Sequence, residues 1–319
     1  MITSRELKNF ARENGADLVG IASMDRFEGA PKKMDPRFIF PDAKAMIVLA
    51  FRVLRGTLRG IEEGTYYASY FGMGYGGINQ VYAPMTLWNV CKWIEDLGYE
   101  AVPIPNEHRL AKSEGHSRAV SPEKPNPDVM VHLRIAAFCA GLGEIGYSKM
   151  FLTPEFGPRQ RFAAILTDAP LEADPLFEGK ICDRCMACAR ACTGKCISEN
   201  KTVKVRIAGR DLEWGEIDIP KCSIYFQGGS REHNPFIVTK EDEAKALQRQ
   251  ALTWQYDEYA RAVEGAAGCI RACMIHLEQR KKLGNRFLNP FRKKTPWKLT
   301  SELIGEETPE AGKKNEGEN

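Results

Sequence analysis

The chain has 319 residues, of which 43% are hydrophobic and 27% are charged. This composition is typical of a globular protein with a sizeable core, and the length indicates two domains. No apolar run approaches the ~20 residues that span a bilayer, and a formal net charge of +3 is too small to indicate a nucleic-acid-binding protein. We therefore expect neither a membrane protein nor a protein whose main partner is a polyanion.

Helices and strands alternate over the first half of the chain. Thr3 and Glu6 form a capping-box pattern, and the apolar spacing after them predicts a helix over residues 4–14. Longer patterns at helical spacing predict helices at 83–97 and within VHLRIAAFCAGLG up to Gly141 or Gly143. Short apolar runs predict strands at ADLVGIAS, at AMIVLAF (45–51), at YEAVPIP and at QRFAAILTD. The alternation favours a layered α/β arrangement over an all-α or all-β core.

Two glycine clusters lie in this region. GMGYGG at 72–77 belongs to a Gly- and Tyr-rich stretch, 56–77, which we predict to be a loop. It does not match a dinucleotide-binding loop, because no strand directly precedes it. GLGEIG at 141–146 follows a predicted helix, and its glycines suit either a helix C-cap or a close approach of the backbone to a ligand.

Four cysteines in the segment ICDRCMACARACTGKCI form a C-x2-C-x2-C-x3-C run: Cys182, Cys185, Cys188 and Cys192. Three thiolates at this spacing can reach three irons of one cubane cluster, and the fourth points toward a second cluster in two-cluster ferredoxins. Two 4Fe-4S clusters require eight thiolates, and four further cysteines complete that number: Cys196, Cys222, Cys269 and Cys273. Zinc is less favoured, because its sites use two separate cysteine pairs.

The two other cysteines, Cys91 and Cys139, stand in apolar stretches, where we expect small buried hydrophobic side chains. The chain begins MITSRELKNF, without an apolar signal core or a twin-arginine pattern, so we expect it in the cytoplasm, where disulfides are rare. Residues 279–298 are basic with interleaved aromatics, which favours a partner-facing surface over a nucleic-acid site. The last residues, EETPEAGKKNEGEN, lack apolar anchors and are predicted to be disordered.

The segment AGLGEIGYSKMFLTPEFGPRQRFAAILTDAPL, followed by the cysteine run, resembles the core of the cobalamin-dependent reductive dehalogenases. LGYEAVPIPN at 97–106 resembles a further segment of that family, and KCSIYF at 221–226 resembles the single-cysteine segment of the related epoxyqueuosine reductases. The resemblance implies an α+β protein in which a nitroreductase-like α/β corrinoid-binding domain, 1–175, is fused to a ferredoxin-like two-cluster 4Fe-4S domain, 176–280. A basic extension and disordered tail, 281–319, would follow.

The resemblance also implies how the eight thiols are shared. The family's second motif is C-x2-C-x3-C, and Ala266 stands where its first cysteine would be, so Cys196 would supply the missing ligand. By analogy with two-cluster ferredoxins, one ligand set belongs to the cluster nearer the corrinoid: Cys182, Cys185, Cys188 and Cys273. The other set belongs to the outer cluster: Cys192, Cys196, Cys222 and Cys269.

The corrinoid implied by the resemblance is a base-off cobalamin without a protein ligand below the cobalt, in line with the lack of a D-x-H-x-x-G motif in the sequence. A weakly ligated cobalt is easier to reduce, and iron–sulfur clusters are suitable donors. Two segments would line its pocket, because glycines let backbone N–H groups approach a macrocycle without Cβ clashes. Their residues are Gly141, Leu142, Gly143, Glu144, Gly146, Pro154, Phe156 and Gly157.

Members of the dehalogenase family are similar in using a tyrosine as proton donor beside a basic residue that stabilises the developing anion. Tyr82 lies nearest the family's tyrosine position, and Tyr75 is the second candidate. Lys149 or Arg159 would be the basic partner. Epoxyqueuosine reductases use a carboxylic acid instead, and Asp128 stands one residue out of register with it.

The sequence thus predicts a cobalamin-dependent iron–sulfur reductase that takes electrons from an external low-potential donor, such as ferredoxin or flavodoxin, and reduces a small organic molecule. The alternative is an electron-transfer protein that reduces or activates a partner corrinoid or redox protein. Nucleic acid would be a partner only in an epoxyqueuosine-type reaction, and the lack of a helical-repeat extension after residue 280 weakens that match.

Overall fold

The structure, a computed structural model, describes residues 2–106, 117–226, 228–248, 266–293 and 296–305. The tail predicted to be disordered, 306–319, lies outside the described residues. Across the described ranges, no helix has both the length and the apolar character required to cross a membrane.

The fold mixes strands and helices, and it contains each helix and strand predicted above for the first half of the chain. The strands are β1 Leu18–Ser23, β2 Ala45–Arg52, β3 Ala101–Ile104, β4 Glu144–Ile145, β5 Phe151–Leu152, β6 Gln160–Thr167, β7 Ile197–Ile207 and β8 Arg210–Ile217. The α-helices are α1 Ser4–Glu13, α2 Arg59–Glu63, α3 Ala83–Asp96, α4 Leu133–Cys139, α5 Ala187–Arg190, α6 Ile219–Phe226, α7 Lys240–Leu247, α8 Arg271–Gln279 and α9 Ser301–Gly305.

The central sheet has the strand order β1-β2-β6-β3, and each neighbouring pair is antiparallel. Strand β2 lies inside the sheet, where Ile47 pairs with Ile21 on one side and with Ile165 on the other. Because both faces of β2 are covered, its sequence is a continuous apolar run rather than an alternating one. Helices α1 and α3 cover one face and α4 covers the other, which gives two hydrophobic cores.

Helix α1 begins as its sequence predicts. The Glu6 N–H donates a hydrogen bond of 3.2 Å to the Thr3 hydroxyl, and the Thr3 N–H donates one of 2.9 Å to the Glu6 carboxylate. This reciprocal capping box satisfies two N–H groups at the start of the helix. Leu7 and Ala11, one turn apart, then form the buried face of α1.

The prediction of a loop over 56–77 is wrong, because most of this stretch is helical. Helix α2 lies within it, and wide π-helical turns at Tyr70–Gly76 and Ile78–Tyr82 run directly into α3. The glycines permit this close winding, since a Cβ on Gly77 would lie 2.1 Å from the Gly72 carbonyl oxygen. Glycine here allows successive turns to pack closely and does not create a flexible loop.

One hairpin is absent from the elements predicted above. Strands β7 and β8 pair antiparallel, and the two residues of the turn between them, Ala208 and Gly209, have left-handed φ values of +49° and +75°. This is the geometry of a two-residue hairpin turn. The sequence carries a signal for it, because apolar residues alternate before the turn at Val203, Val205 and Ile207.

A buried carboxylate ties the C-terminal part of the chain to α2. Glu62, whose side chain is 7% exposed, forms ion pairs with Arg271 on α8 and with Arg292 beyond that helix. The Arg271 side chain is 8% exposed, and burial lowers its pKa to about 10. Two guanidinium groups therefore share one compensating carboxylate in a poorly solvated site.

Replacing Glu62 with Gln removes the carboxylate charge and leaves both guanidinium groups uncompensated. We expect the free energy of unfolding, measured by urea titration, to fall by about 3 kcal/mol. The adjacent Glu63 is a matched control, because its side chain is 59% exposed and its partner Arg59 is 43% exposed. Glu63→Gln should cost less than about 0.5 kcal/mol. Similar losses in the two variants would contradict the role assigned to Glu62.

Candidate metal centre

Eight of the ten cysteines lie in two groups of four, and all ten are free thiols. The first group lines one cavity and consists of Cys182, Cys185, Cys188 and Cys273. The second group consists of Cys192, Cys196, Cys222 and Cys269. The two groups have the same members as the ligand sets that the resemblance implies.

Hydrogen bonds within the chain hold the loop that carries most of the first group. The Glu144 carboxylate accepts from the Cys182 N–H, and the Tyr147 N–H donates to the Cys182 Sγ at 3.4 Å. Arg184 and Met186 have left-handed φ values of +55° and +61°, which turn the loop around the cavity. A thiol from α8 completes the group.

The chemistry of the first group suits a metal centre. Burial raises the pKa of Cys273 well above its ordinary value, and the thiols of Cys188, Cys182 and Cys185 raise it further, since neighbouring thiolates repel one another. All four can be thiolates together only if a cation compensates their charge. Sets of thiolates select iron–sulfur clusters and other soft metals.

The second group depends on the β7–β8 hairpin. Ile197 pairs with Ile217 at the open end of the hairpin, so the chain returns beside Cys196. There the Asp218 N–H donates to the Cys196 carbonyl at 3.0 Å, and the Cys222 N–H donates to the Asp218 carbonyl at 2.8 Å. The hairpin therefore brings two thiols together that are distant in the sequence.

A short turn places Cys192 against Cys196. The Cys196 N–H donates to the Cys192 Sγ at 3.3 Å, and a Cβ on the intervening Gly194 would lie 2.8 Å from the Cys196 Sγ. Burial, and next the Cys192 thiol, raise the pKa of Cys196 to about 12. Burial, followed by Cys222 and Cys192, also raises the pKa of Cys269 to about 12. These effects require the four thiols to be neighbours.

The two remaining cysteines occupy core positions of the sheet region, as their apolar surroundings predict. Cys91 on α3 is 7% exposed, and Cys139 at the end of α4 is fully buried. Burial raises the pKa of each thiol to about 12, so both stay protonated near neutral pH.

The GLGEIG segment packs against other parts of the chain. Gly141 follows α4 with a φ of +73°, and a Cβ on it would lie 2.1 Å from the Pro175 carbonyl oxygen. A Cβ on Gly143 would lie 2.0 Å from the Leu152 carbonyl oxygen. Of the two interpretations that the sequence leaves open, this geometry corresponds to a helix C-cap.

The PEFGPR segment is a tight turn in contact with the C-terminal part of the chain. Thr153 and Gly157 exchange backbone hydrogen bonds of 3.0 and 2.9 Å across the turn. The Pro154 carbonyl accepts from the Gly284 N–H at 3.0 Å, and Phe156 is 7% exposed. Gly157 packs on leucine side chains of α8 and of the segment beyond it.

Both predicted basic partners are engaged with residues other than the candidate tyrosines. The Arg159 guanidinium is buried and donates to the Val53 carbonyl at 2.7 Å and to the Asn285 Oδ1 at 2.8 Å. Burial lowers its pKa to about 10. The Lys149 ammonium lies 5.2 Å from the centre of the Trp214 ring, and burial lowers the pKa of Lys149.

The two candidate tyrosines have different surroundings. Tyr82 is 44% exposed, and its hydroxyl lies 3.7 Å from the Met73 Sδ. Tyr75 is 6% exposed, and the guanidinium carbon of Arg161 lies 3.8 Å from the centre of its ring. Arg161 also donates to the Tyr70 hydroxyl at 3.2 Å. Arg161 is not among the residues predicted above, and the signal for it was the second arginine of GPRQR.

The pair of Tyr75 and Arg161 lies beside the second thiol group. The Tyr75 ring centre is 6.2 Å from that of Phe226, the last residue of α6, and this helix carries a thiol of the group. Burial lowers the pKa of Arg134, the Cys269 thiol raises it, and the Arg161 guanidinium lowers it. Arg134 therefore lies close to the Cys269 thiol and to Arg161. The resemblance implies that the first group lies nearer the corrinoid, whereas the second group is the one that lies beside the candidate tyrosine Tyr75.

No family model matches the chain. The tetrachloroethene reductive dehalogenase of Dehalobacter restrictus is 44% identical over 182 residues, which are 53% of this chain and 28% of that protein. The tetrachloroethene reductive dehalogenase of Sulfurospirillum multivorans is 29% identical over 263 residues, 69% of this chain and 47% of that protein. An epoxyqueuosine reductase of Synechococcus is 38% identical over 84 residues, 26% of each chain. The chain thus spans less than half the length of these relatives.

The solved structures include the catabolic reductive dehalogenase NpRdhA, which superposes with a TM-score of 0.51 at 20% identity over 88% of this chain and 36% of that chain. This likeness shows a shared fold. The curated relatives are oxidoreductases. The chain is similar in sequence to parts of reductive dehalogenases and of an epoxyqueuosine reductase.

Proposed function

We propose that the chain is an iron–sulfur reductase whose two thiol groups each hold one 4Fe-4S cluster and which reduces a small organic molecule. The observation that carries this proposal is the assembly of eight thiols into two groups of four. A loop that supplies three thiols at two-residue spacing is typical of cluster binding, whereas zinc sites use two cysteine pairs. The activities named for the relatives also support a reductase.

The same proposal gives each part of the chain a role. Residues 1–175, which contain the central sheet, would form a nitroreductase-like α/β domain. Residues 176–280 would form a ferredoxin-like domain that carries the eight thiols. The segment after α8 would be an extension that packs back on the first domain, where Arg292 meets Glu62 and Asn285 meets Arg159.

The two groups are arranged so that electrons can pass between them. Bound 4Fe-4S clusters would supply low-potential electrons. Cys188 lies on α5 and Cys192 two residues after it. Cys269 lies in the π-helical turn Ala266–Ile270 that precedes α8, and Cys273 lies on α8. Each of these two short segments therefore contributes one thiol to each group. The backbone holds the groups side by side, with the second group next to Tyr75.

In this proposal, Tyr75 donates the proton that accompanies the reduction. The Arg161 guanidinium against its ring would stabilise the phenolate that remains after proton transfer. The burial of Tyr75 limits competition from bulk water. Tyr82 is the weaker candidate, because its side chain is half exposed and its hydroxyl contacts Met73.

The eight residues predicted to hold a corrinoid do not fit that role. The space next to Gly141 and Gly143 is filled by the carbonyl groups of Pro175 and Leu152. The Glu144 carboxylate accepts hydrogen bonds from the cysteine loop. The others also pack within the chain: Leu142, Gly146, Pro154, Phe156 and Gly157. These contacts therefore support no chemical step through a corrinoid held by the eight residues.

This misfit favours a second candidate function. The chain would then be an electron-transfer protein that reduces or activates a partner corrinoid or redox protein, without turnover of its own. In both candidates, the eight thiols have the same role, and the electrons come from an external low-potential donor. The two differ in whether the chain itself binds cobalamin and a small-molecule substrate.

Cluster content tests the common part of both candidates. After anaerobic reconstitution with iron and sulfide, the protein should contain about eight irons per chain. Cys196→Ala removes a thiol of the second group and should lower the content toward about four irons. Cys139→Ala is the control, because Cys139 is buried in the sheet region, and it should match the unsubstituted protein. An unsubstituted protein with about four irons would contradict the proposal.

Cobalamin binding separates the two candidates. The reductase should bind one cobalamin per chain in the base-off form, detected by its visible spectrum during titration, whereas the electron-transfer protein should bind none. If cobalamin binds, Leu142→Ala should leave the affinity unchanged, since the Leu142 side chain packs against the core of the sheet region. Leu18→Ala, at another partly buried leucine packed against the same core, controls for the loss of a core contact. A selective loss of affinity in Leu142→Ala would restore the predicted pocket.

Substitution of the tyrosines tests the proton donor. Tyr75→Phe removes only a hydroxyl, so iron content should persist while turnover falls by about 100-fold. Tyr82→Phe, the matched control, should retain turnover within about twofold. The measurement is chloride release from tetrachloroethene, the substrate named for two relatives, by chemically reduced protein that has been reconstituted with iron and sulfide and supplied with cobalamin. Loss of turnover in Tyr82→Phe alone would identify Tyr82, and not Tyr75, as the proton donor.

A further inference from the structure

The first thiol group lies close to solvent. Asp183, Arg184 and His276 line its cavity on the outer side, and their side chains are 30%, 48% and 26% exposed. Cys185 is itself only partly buried. The group is therefore partly open to solvent, and a redox partner can approach it closely at this wall.

Ion pairs hold this wall in place. Arg184 pairs with Glu213 at 2.7 Å. Asp183 pairs with Arg280, and the His276 Nε2 lies 2.9 Å from the Asp183 Oδ2. The two carboxylates each have a cationic partner, so they do not cancel the other positive charges nearby.

Five more cations with exposed side chains adjoin the wall in the sequence or are connected to its loop by hydrogen bonds: Lys180, Arg190, Lys195, Lys281 and Lys282. Among the residues that the structure describes, none of the five forms an ion pair. Arg190 donates to the Cys185 carbonyl at 2.8 Å, and Lys195 donates to the Arg190 carbonyl at 3.0 Å. Lys281 and Lys282 directly follow Arg280. We call these five residues, together with Asp183, Arg184 and His276 of the wall, the basic face.

We propose that the basic face is the docking site of a small acidic one-electron carrier protein, which delivers electrons to the centre held by the first thiol group. This inference rests on the iron–sulfur function proposed above and adds the surface at which the electron donor docks. In each encounter the carrier is oxidised by one electron and the centre is reduced by one. Two encounters supply the two electrons of the proposed reduction.

The charges and the geometry favour a transient redox complex. Opposite charge on two proteins accelerates their encounter and aligns the contact, and salt weakens both effects. Redox partners form small interfaces, often below about 1,200 Å² in total, so a cluster of cations beside one partly exposed thiol group is a sufficient contact. The carrier would meet the protein at the first thiol group, whereas the second group lies beside the buried ring of Tyr75.

A nucleic acid is the other polyanion that a basic surface attracts. The aromatic side chain that lines the cavity, Tyr147, is 6% exposed, so it offers little ring surface on which a base could stack. This favours a protein carrier.

The test combines Lys281→Glu with Lys282→Glu, which reverses two charges on the basic face without altering a thiol. The matched control combines Lys44→Glu with Lys92→Glu, two exposed lysines of the sheet region, and makes the same change in net charge. The probe is reduced flavodoxin, a small acidic carrier, and reduction of the reconstituted protein is followed by stopped-flow absorbance. At low salt, the second-order rate constant should fall about tenfold in the first variant only, and high salt should remove the difference.

Two further measurements separate the possible failures. Calorimetric titration with oxidised flavodoxin should show weaker binding in the same variant. Photoreduction by 5-deazariboflavin, a small uncharged photosensitiser, with oxalate as the sacrificial electron donor, should proceed equally in all three proteins, and its failure in the unsubstituted protein would reject the iron–sulfur function. Equal flavodoxin rates and affinities with photoreduction intact would overturn the docking site alone. Weaker binding of a single-stranded RNA probe with unchanged flavodoxin rates would also overturn it.

Discussion

The arrangement of the eight thiols depends on one constraint. Each of two short segments supplies one thiol to the first group and another thiol to the second group. Cys188 and Cys192 lie on and after α5, and Cys269 and Cys273 lie just before and on α8. A shift of either segment by one turn would disrupt both groups at once, so the two segments must pack in one fixed relation. The buried ion pair of Arg271 with Glu62 connects α8 to the sheet region and stabilises that relation.

The segment around GLGEIG joins the sheet region to both thiol groups. Glu144 and Tyr147 hold the cysteine loop through hydrogen bonds at Cys182. Tyr147 also accepts a hydrogen bond from the Gly215 N–H at 2.8 Å and donates one to the Ser198 carbonyl at 2.8 Å. The GLGEIG segment and the adjacent Tyr147 therefore connect the cysteine loop to the β7–β8 hairpin, which positions the second group.

The two thiol groups differ in the charged side chains around them. On the outer side of the protein, the basic face adjoins the first group and leaves it accessible to a protein carrier. On the inner side, Arg161 and Arg134 lie near the second group, and Arg161 contacts the buried ring of Tyr75. In the proposed function, electrons would arrive at the outer side, and the proton would be transferred at the inner side.

The sequence by itself determined what depends on spacing within one element: the cysteine run, the capping box of α1, and the helices and strands around the sheet. The alternation of Val203, Val205 and Ile207 would also have predicted the hairpin. Only the tertiary structure decided the contacts between elements, such as Arg161 with Tyr75. It also decided what each glycine packs against. The physical reason is that spacing fixes geometry over a few residues, whereas contacts between elements depend on how they bury their surfaces together.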